Sequence, residues 1–125
     1  MNDTETAPAE AAPEILFQLF AYEVRGDDSF INDIMEVGDP RQLDWCANKI
    51  HGLDRPAAPD AKSMRYELLM FQHTPGVENA SRDLGKWPVE RALTPPRCRK
   101  PRACVVVDGV PVDLVKFALA RLRAA

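Results

Sequence analysis

The chain has 125 residues, 46% hydrophobic and 28% charged, with net charge −3, 11 prolines and 3 cysteines; that length predicts one globular domain, which can bury roughly two-thirds of its unfolded surface without metal or disulfide staples. The longest apolar run, Ile15 to Val24, is about half of the about 20 residues that a bilayer span needs, and "MNDTETAPAEAAPE" lacks the basic start of a secretory signal. With an odd number of cysteines, the expectation is a cytoplasmic protein, neither membrane-bound nor built on disulfides.

Residues 1–12 are Ala, Glu, Pro and Thr with almost no apolar bulk. They cannot bury enough surface to offset their ordering entropy, which predicts a flexible acidic tail ahead of a single globular domain over 13–125. Pro13 and Glu14 resemble a helix start, and "EILFQLFAYEVR" keeps a helical spacing at Leu16, Leu19, Phe20 and Val24. It is apolar nearly all round, so a buried helix is expected, although periodicity alone does not separate it from a buried strand. Asp28 or Ser29 then caps a short helix "FINDIMEV", with Gly38 as its stop.

Asp39-Pro40 opens the clearest helix, "PRQLDWCANKIHGL", whose Leu43, Cys46, Ala47 and Ile50 recur at i, i+3, i+4 and i+7 before Gly52. "DRPAAPDAKS" is a loop. "MRYELLMFQH" fits either a helix or a strand, and its Leu and Met content tilts the expectation to helix. Residues 74–96 carry Pro75, Gly76, Gly85, Pro88, Pro95 and Pro96, leaving room for one or two helical turns. "ACVVVDGVPV" reads as a strand, an Asp108-Gly109 turn and a short return strand. Asp113 then caps a closing helix "LVKFALARLRAA", with Lys116, Arg121 and Arg123 placed to suit its C-terminal dipole. The sum is a mainly α fold, four or five short helices with one short β-hairpin near the C-terminus; α+β is the alternative.

Charge is unevenly laid out. Residues 1–60 carry 13 acidic and 4 basic side chains, residues 61–125 carry 6 and 12, and together these reproduce the net −3. The two halves either neutralise each other internally or face partners of opposite sign. On the acidic side the candidate contact residues are Asp27, Asp28, Asp39, Asp44 and Trp45. Trp45 sits about 100° round the helix from Cys46, where it either anchors an interface or lies under a neighbouring element. On the basic side Arg97, Arg99, Lys100 and Arg102, with Arg91 nearby, form a cluster free of acids. Pro95, Pro96 and Pro101 exclude a recognition helix there, and no aromatic residue interleaves to stack on bases. The segment is thus either a solvated connector or an anion contact.

Cys98 lies between Arg97 and Arg99, which makes it the thiol most disposed to react; Cys98 and Cys104 are too loosely spaced for the usual zinc pair. His51 and His73 have ordinary explanations at a helix end and a turn. No G-x-S-x-G, phosphate-binding glycine loop or H-E-x-x-H is present. The expectation is therefore not an enzyme, with no cofactor and no metal. It is a small protein-binding module, an adaptor or an inhibitor or regulator of a larger assembly, whose partner has a basic surface. Nucleic-acid binding through Arg97–Arg102 is the first alternative, and a thiol-based redox protein using Cys98 the second. Oligomeric state is left open.

Overall fold

The computed structural model describes residues 12–78 and 80–125. The tail expected over 1–12 lies, apart from Ala12, outside the described residues. The elements run β1 Glu14–Arg25, β2 Asp28–Val37, a 3-10 turn Pro40–Gln42, α1 Leu43–Lys49, β3 Met64–His73, β4 Ser81–Leu93, β5 Arg102–Val107, β6 Val110–Asp113 and α2 Leu114–Ala124. They build one six-stranded sheet of order β2-β1-β3-β4-β5-β6, antiparallel at every junction.

The mainly α expectation is overturned: strands make up 49% and helices 19%. The α+β alternative, built on one hairpin, also misjudges the sheet. "EILFQLFAYEVR" and "FINDIMEV" form strands instead of helices. "MRYELLMFQH" takes its strand option. Residues 81–93 form a continuous strand where only helical turns were expected.

The physical reason lies in the alternation of β1. Phe17, Leu19 and Ala21 are fully buried on one face, opposite Met70, Leu68 and Tyr66 of β3. Leu16, Gln18, Phe20 and Tyr22 point to the other face, where the Phe20 and Tyr22 rings stack at 5.8 Å. Both faces of β1 are largely apolar, so a period of two reads as uniform hydrophobicity and imitates a buried helix. Aromatic and branched side chains then favour the pleated surface. The β1–β2 connection is a two-residue hairpin closed by Arg25 opposite Asp28. Gly26 at its first central position has φ 62°, which a side chain would strain.

Two interruptions in β4 are absorbed by geometry. Pro88 pairs with Glu67 of β3, while the register to β5 begins only at Glu90 opposite Cys104. The missing N–H therefore lies where β5 has not yet joined. At Gly85 the Trp87 ring lies against the backbone, leaving no space for a Cβ.

Elements read from local chemistry form where they were expected. The Asp108-Gly109 turn has φ 51° and 79°, the doubly positive pair that a tight hairpin turn demands. The Asp113 carboxylate accepts from the Lys116 N–H and caps α2. The 40–52 segment coils as a 3-10 turn followed by α1.

Both helices cover the same face of the sheet. Leu43, Cys46, Ala47 and Ile50 around α1, and Leu114, Phe117 and Ala118 of α2, close one core over Phe17, Leu19, Leu68, Met70, Val89 and Val105. No described helix is long and apolar enough to cross a membrane. Leu68 is fully buried at the centre of this core, so Leu68→Ala is expected to cost about 3 kcal/mol, read as a lower urea midpoint, whereas Trp45→Ala shifts it by less than about 0.5 kcal/mol.

Candidate functional site

The outermost strand β2 is the most exposed regular element. Its backbone pairs with β1 on one side and with no described strand on the other. Phe30, Ile31 and Ile34 are 50%, 58% and 44% exposed, so three large apolar side chains sit on one ten-residue strand. Single exposed hydrophobic residues are ordinary; a group of them on a free edge marks a contact surface or an aggregation hazard. A bulge opposite Ala21 and Tyr22 breaks the register of β2 with β1. Next to it the exposed Asn32 Oδ1 meets His51 Nε2 at 2.9 Å, tying the strand to the end of α1.

At the opposite end of β2 stands Trp45, 58% exposed. It borders two shallow grooves, one of about 480 Å³ shared with Glu36, Val37 and Gln42, the other of about 490 Å³ shared with Arg41, Asp44 and Lys49. The Lys49 ammonium lies 5.8 Å from the Trp45 ring centre. Trp45 is exposed because α1 packs through Leu43, Cys46 and Ala47, and no described element covers its outer side.

The acidic candidates divide into two groups. Asp39 caps the 3-10 turn and is held by the Arg41 guanidinium at 2.8 Å, a hydrogen-bonded pairing that keeps its carboxyl below the usual range. Asp44 is paired with Arg102 at 2.7 Å. These two charges are spent inside the molecule. Asp27 and Asp28 form the exposed tip and start of β2. With Asp33 and Glu36 on the same strand they have no cationic partner among the described residues; Glu36 accepts only from Gln18, at 2.8 Å. The structure thus brings Asp27, Asp28 and Trp45 to the two ends of one strand and withdraws Asp39 and Asp44. Sequence reasoning missed Phe30, Ile31, Asp33, Ile34 and Glu36 as surface residues because it coiled them into a helix.

The basic cluster is also split. Arg97, Arg99 and Lys100 are exposed in the β4–β5 loop. Arg102 instead reaches back, its Nη2 to Asp44 and its Nε to the buried Asp113. Hydrogen bonding to Asp113 raises its pKa further, so it stays charged. Asp113 accepts at once from Arg102 and from the α2 backbone, so this bridge locks β5, α1 and α2 together.

All three cysteines are free thiols. Burial raises the Cys46 pKa and pushes that of Cys104 up to about 11. Cys98 is the partly exposed thiol. Among the described residues no group of three or more His, Cys, Asp or Glu is arranged to hold a metal.

No protein-family model matches the chain, and no curated protein and no solved structure matches it either.

Arg102→Met is expected to cost about 2 kcal/mol in urea denaturation, because it leaves the buried Asp113 carboxylate short of its cation. Iodoacetamide at about pH 8 is expected to label Cys98 and spare Cys46 and Cys104, read by mass spectrometry. The fold holds Cys104 neutral, so its contribution to stability is intact below the ordinary thiol value of 9.0 and fades as pH rises towards about 11. Cys104→Ala is expected to flatten that alkaline loss.

Proposed function

We propose that this chain is a protein-binding module that takes up an extended basic segment of a partner as an added strand along β2. One observation carries the reading: β2 combines a free edge with three exposed apolar side chains and four acidic residues at or beside it, Asp27, Asp28, Asp33 and Glu36. A free edge supplies main-chain donors and acceptors, alternate side chains supply specificity, and acids select and steer a cationic partner. Trp45 at the end of the strand supplies an aromatic anchor with grooves on both sides. Recognition of this kind involves no bond-making step, and it leaves the module as an adaptor or a regulator of whatever carries the bound segment.

The nucleic-acid alternative retains Arg97, Arg99 and Lys100 but loses Arg102 to internal ion pairs. The thiol alternative retains Cys98 alone, since Cys46 and Cys104 are buried. Both have less support than the β2 edge.

The test uses a synthetic peptide of about eight alternating Lys and Val residues, an extended basic ligand by composition. Trp45 fluorescence reports binding. The peptide is expected to bind more weakly as salt rises and to slow hydrogen exchange at β2 amides. Ile31→Lys with Ile34→Lys, which places charge on the edge, is expected to reduce affinity at least about tenfold with little change in melting temperature. Protection appearing elsewhere than β2, or equal affinity in the doubly substituted protein, overturns the reading.

A further inference from the structure

The loop over 54–63 and the ends of β3 and β4 enclose a cleft far in sequence from the β2 edge residues. It has a volume of about 360 Å³, with Lys62, Met64, Arg65, Tyr66, Glu90 and Arg91 in its wall. A second hollow of about 250 Å³ shares Lys62, Met64 and Arg91 and adds His51. The shared residues make the two hollows adjoining parts of one site, within the size range of small-molecule pockets. The lining holds three cationic residues, Lys62, Arg65 and Arg91, and one acidic residue, Glu90.

The decisive group is Arg91. It is half-buried, and its guanidinium has no carboxylate partner among the described residues. Its Nη2 donates to the Tyr66 hydroxyl at 2.8 Å and its Nη1 to the Arg55 carbonyl at 3.3 Å, with the guanidinium 5.6 Å from the Tyr66 ring centre. A partly desolvated cation held by neutral groups is a ready anion site, because an oxyanion supplies the charge it lacks. Tyr66 accepts from Arg91, so its own O–H remains to donate. Lys62 stands at the rim, 69% exposed, with only a long 3.5 Å contact to Glu23. Arg65 is already paired with Glu67 at 2.9 Å and lies over the Tyr22 ring, so it frames the cleft without offering a free charge.

Backbone strain sits at the cleft, in its wall at His51 and next to Arg91 at Ala92. His51 and Ala92 both have positive φ, 56° and 52°, without being glycine. Ala92 is held there by its N–H donating to the Leu53 carbonyl at 2.9 Å, which fixes the strand beside Arg91. Such strain persists only where the surroundings over-determine it.

We infer that this cleft binds a small dianionic ligand, a phosphate monoester or a dicarboxylate, whose two negative charges meet Arg91 and Lys62 while the Tyr66 hydroxyl donates to one of its oxygens. The inference is independent of strand addition at β2 and stands or falls separately.

Amide NMR titration of the full chain with glycerol 3-phosphate and with succinate, with chloride as the monovalent control, tests it. At least one dianion is expected to shift the His51, Lys62 and Arg91 amides saturably at about millimolar concentration. Which dianion binds more tightly decides between phosphate ester and dicarboxylate. Arg91→Met, which keeps an apolar stem, is expected to weaken binding at least about tenfold, and Lys62→Met several-fold, whereas the control Arg123→Met leaves it unchanged. Should Arg91→Met fail to fold, the exposed Lys62→Met carries the test. The absence of shifts at those amides up to about 10 mM of either dianion overturns the inference, as does unchanged affinity in the folded variants.

Discussion

The pairing of β1 with β3 is the constraint on which the rest of the molecule depends. Its register sets Phe17, Leu19 and Ala21 against Met70, Leu68 and Tyr66 on one face. A slip by one residue would send all of these to the opposite face. Once that face is chosen, α1 and α2 have one place to bury their apolar stripes, and both go there. The consequence is an asymmetric layer. One face is capped by helices, the other carries the stacked Phe20 and Tyr22 without a described helix above it, and β2 is left as an outer edge.

That asymmetry explains how the charges are used. Among the described residues, two ion pairs join the acidic first half to the basic second half, Arg102 to Asp44 and Lys62 to Glu23. The first is close and linked to the buried Asp113; the second is long and exposed. Internal neutralisation therefore accounts for part of the charge polarity and not for the acids along β2. Exposed carboxylates cost little where they stand, and along a free strand edge they also resist indiscriminate pairing with other acidic or neutral chains. On the proposed reading, the same acids that guard the edge are the ones that select a cationic strand.

The β2 edge and the Arg91 cleft differ in physical character. The edge is long and open, with apolar and acidic side chains together, suited to an extended chain whose main-chain groups supply much of the binding. The cleft is small, concave and cationic, suited to one compact anion. They are joined through His51, which contacts Asn32 on β2 and lines the cleft. Tyr66 meets the same His51 ring edge-on at 6.0 Å. The wall of the smaller hollow and the edge strand therefore share a contact at this residue.

Local chemistry was enough to mark several features. Asp113 caps α2 because a carboxylate accepts from a helix N-terminal N–H wherever such a helix begins. Asp108-Gly109 turns because those two residues tolerate positive φ. Trp45 falls off the apolar line of α1 because 3.6 residues make a turn. Each is decided within a few residues, so the sequence by itself determined it. The strands were not legible in this way. β1 is apolar on both faces, β2 is too exposed to keep a clean alternation, and β4 carries a glycine and a proline whose cost depends on what lies beside them. Only the tertiary structure decided that Pro88 pairs with β3 on a stretch that β5 has not yet joined, that Arg102 spans from β5 to α1 and α2, and that His51, Lys62, Tyr66 and Arg91 share one cleft. Those outcomes rest on register and long-range packing, which join residues that no local pattern relates.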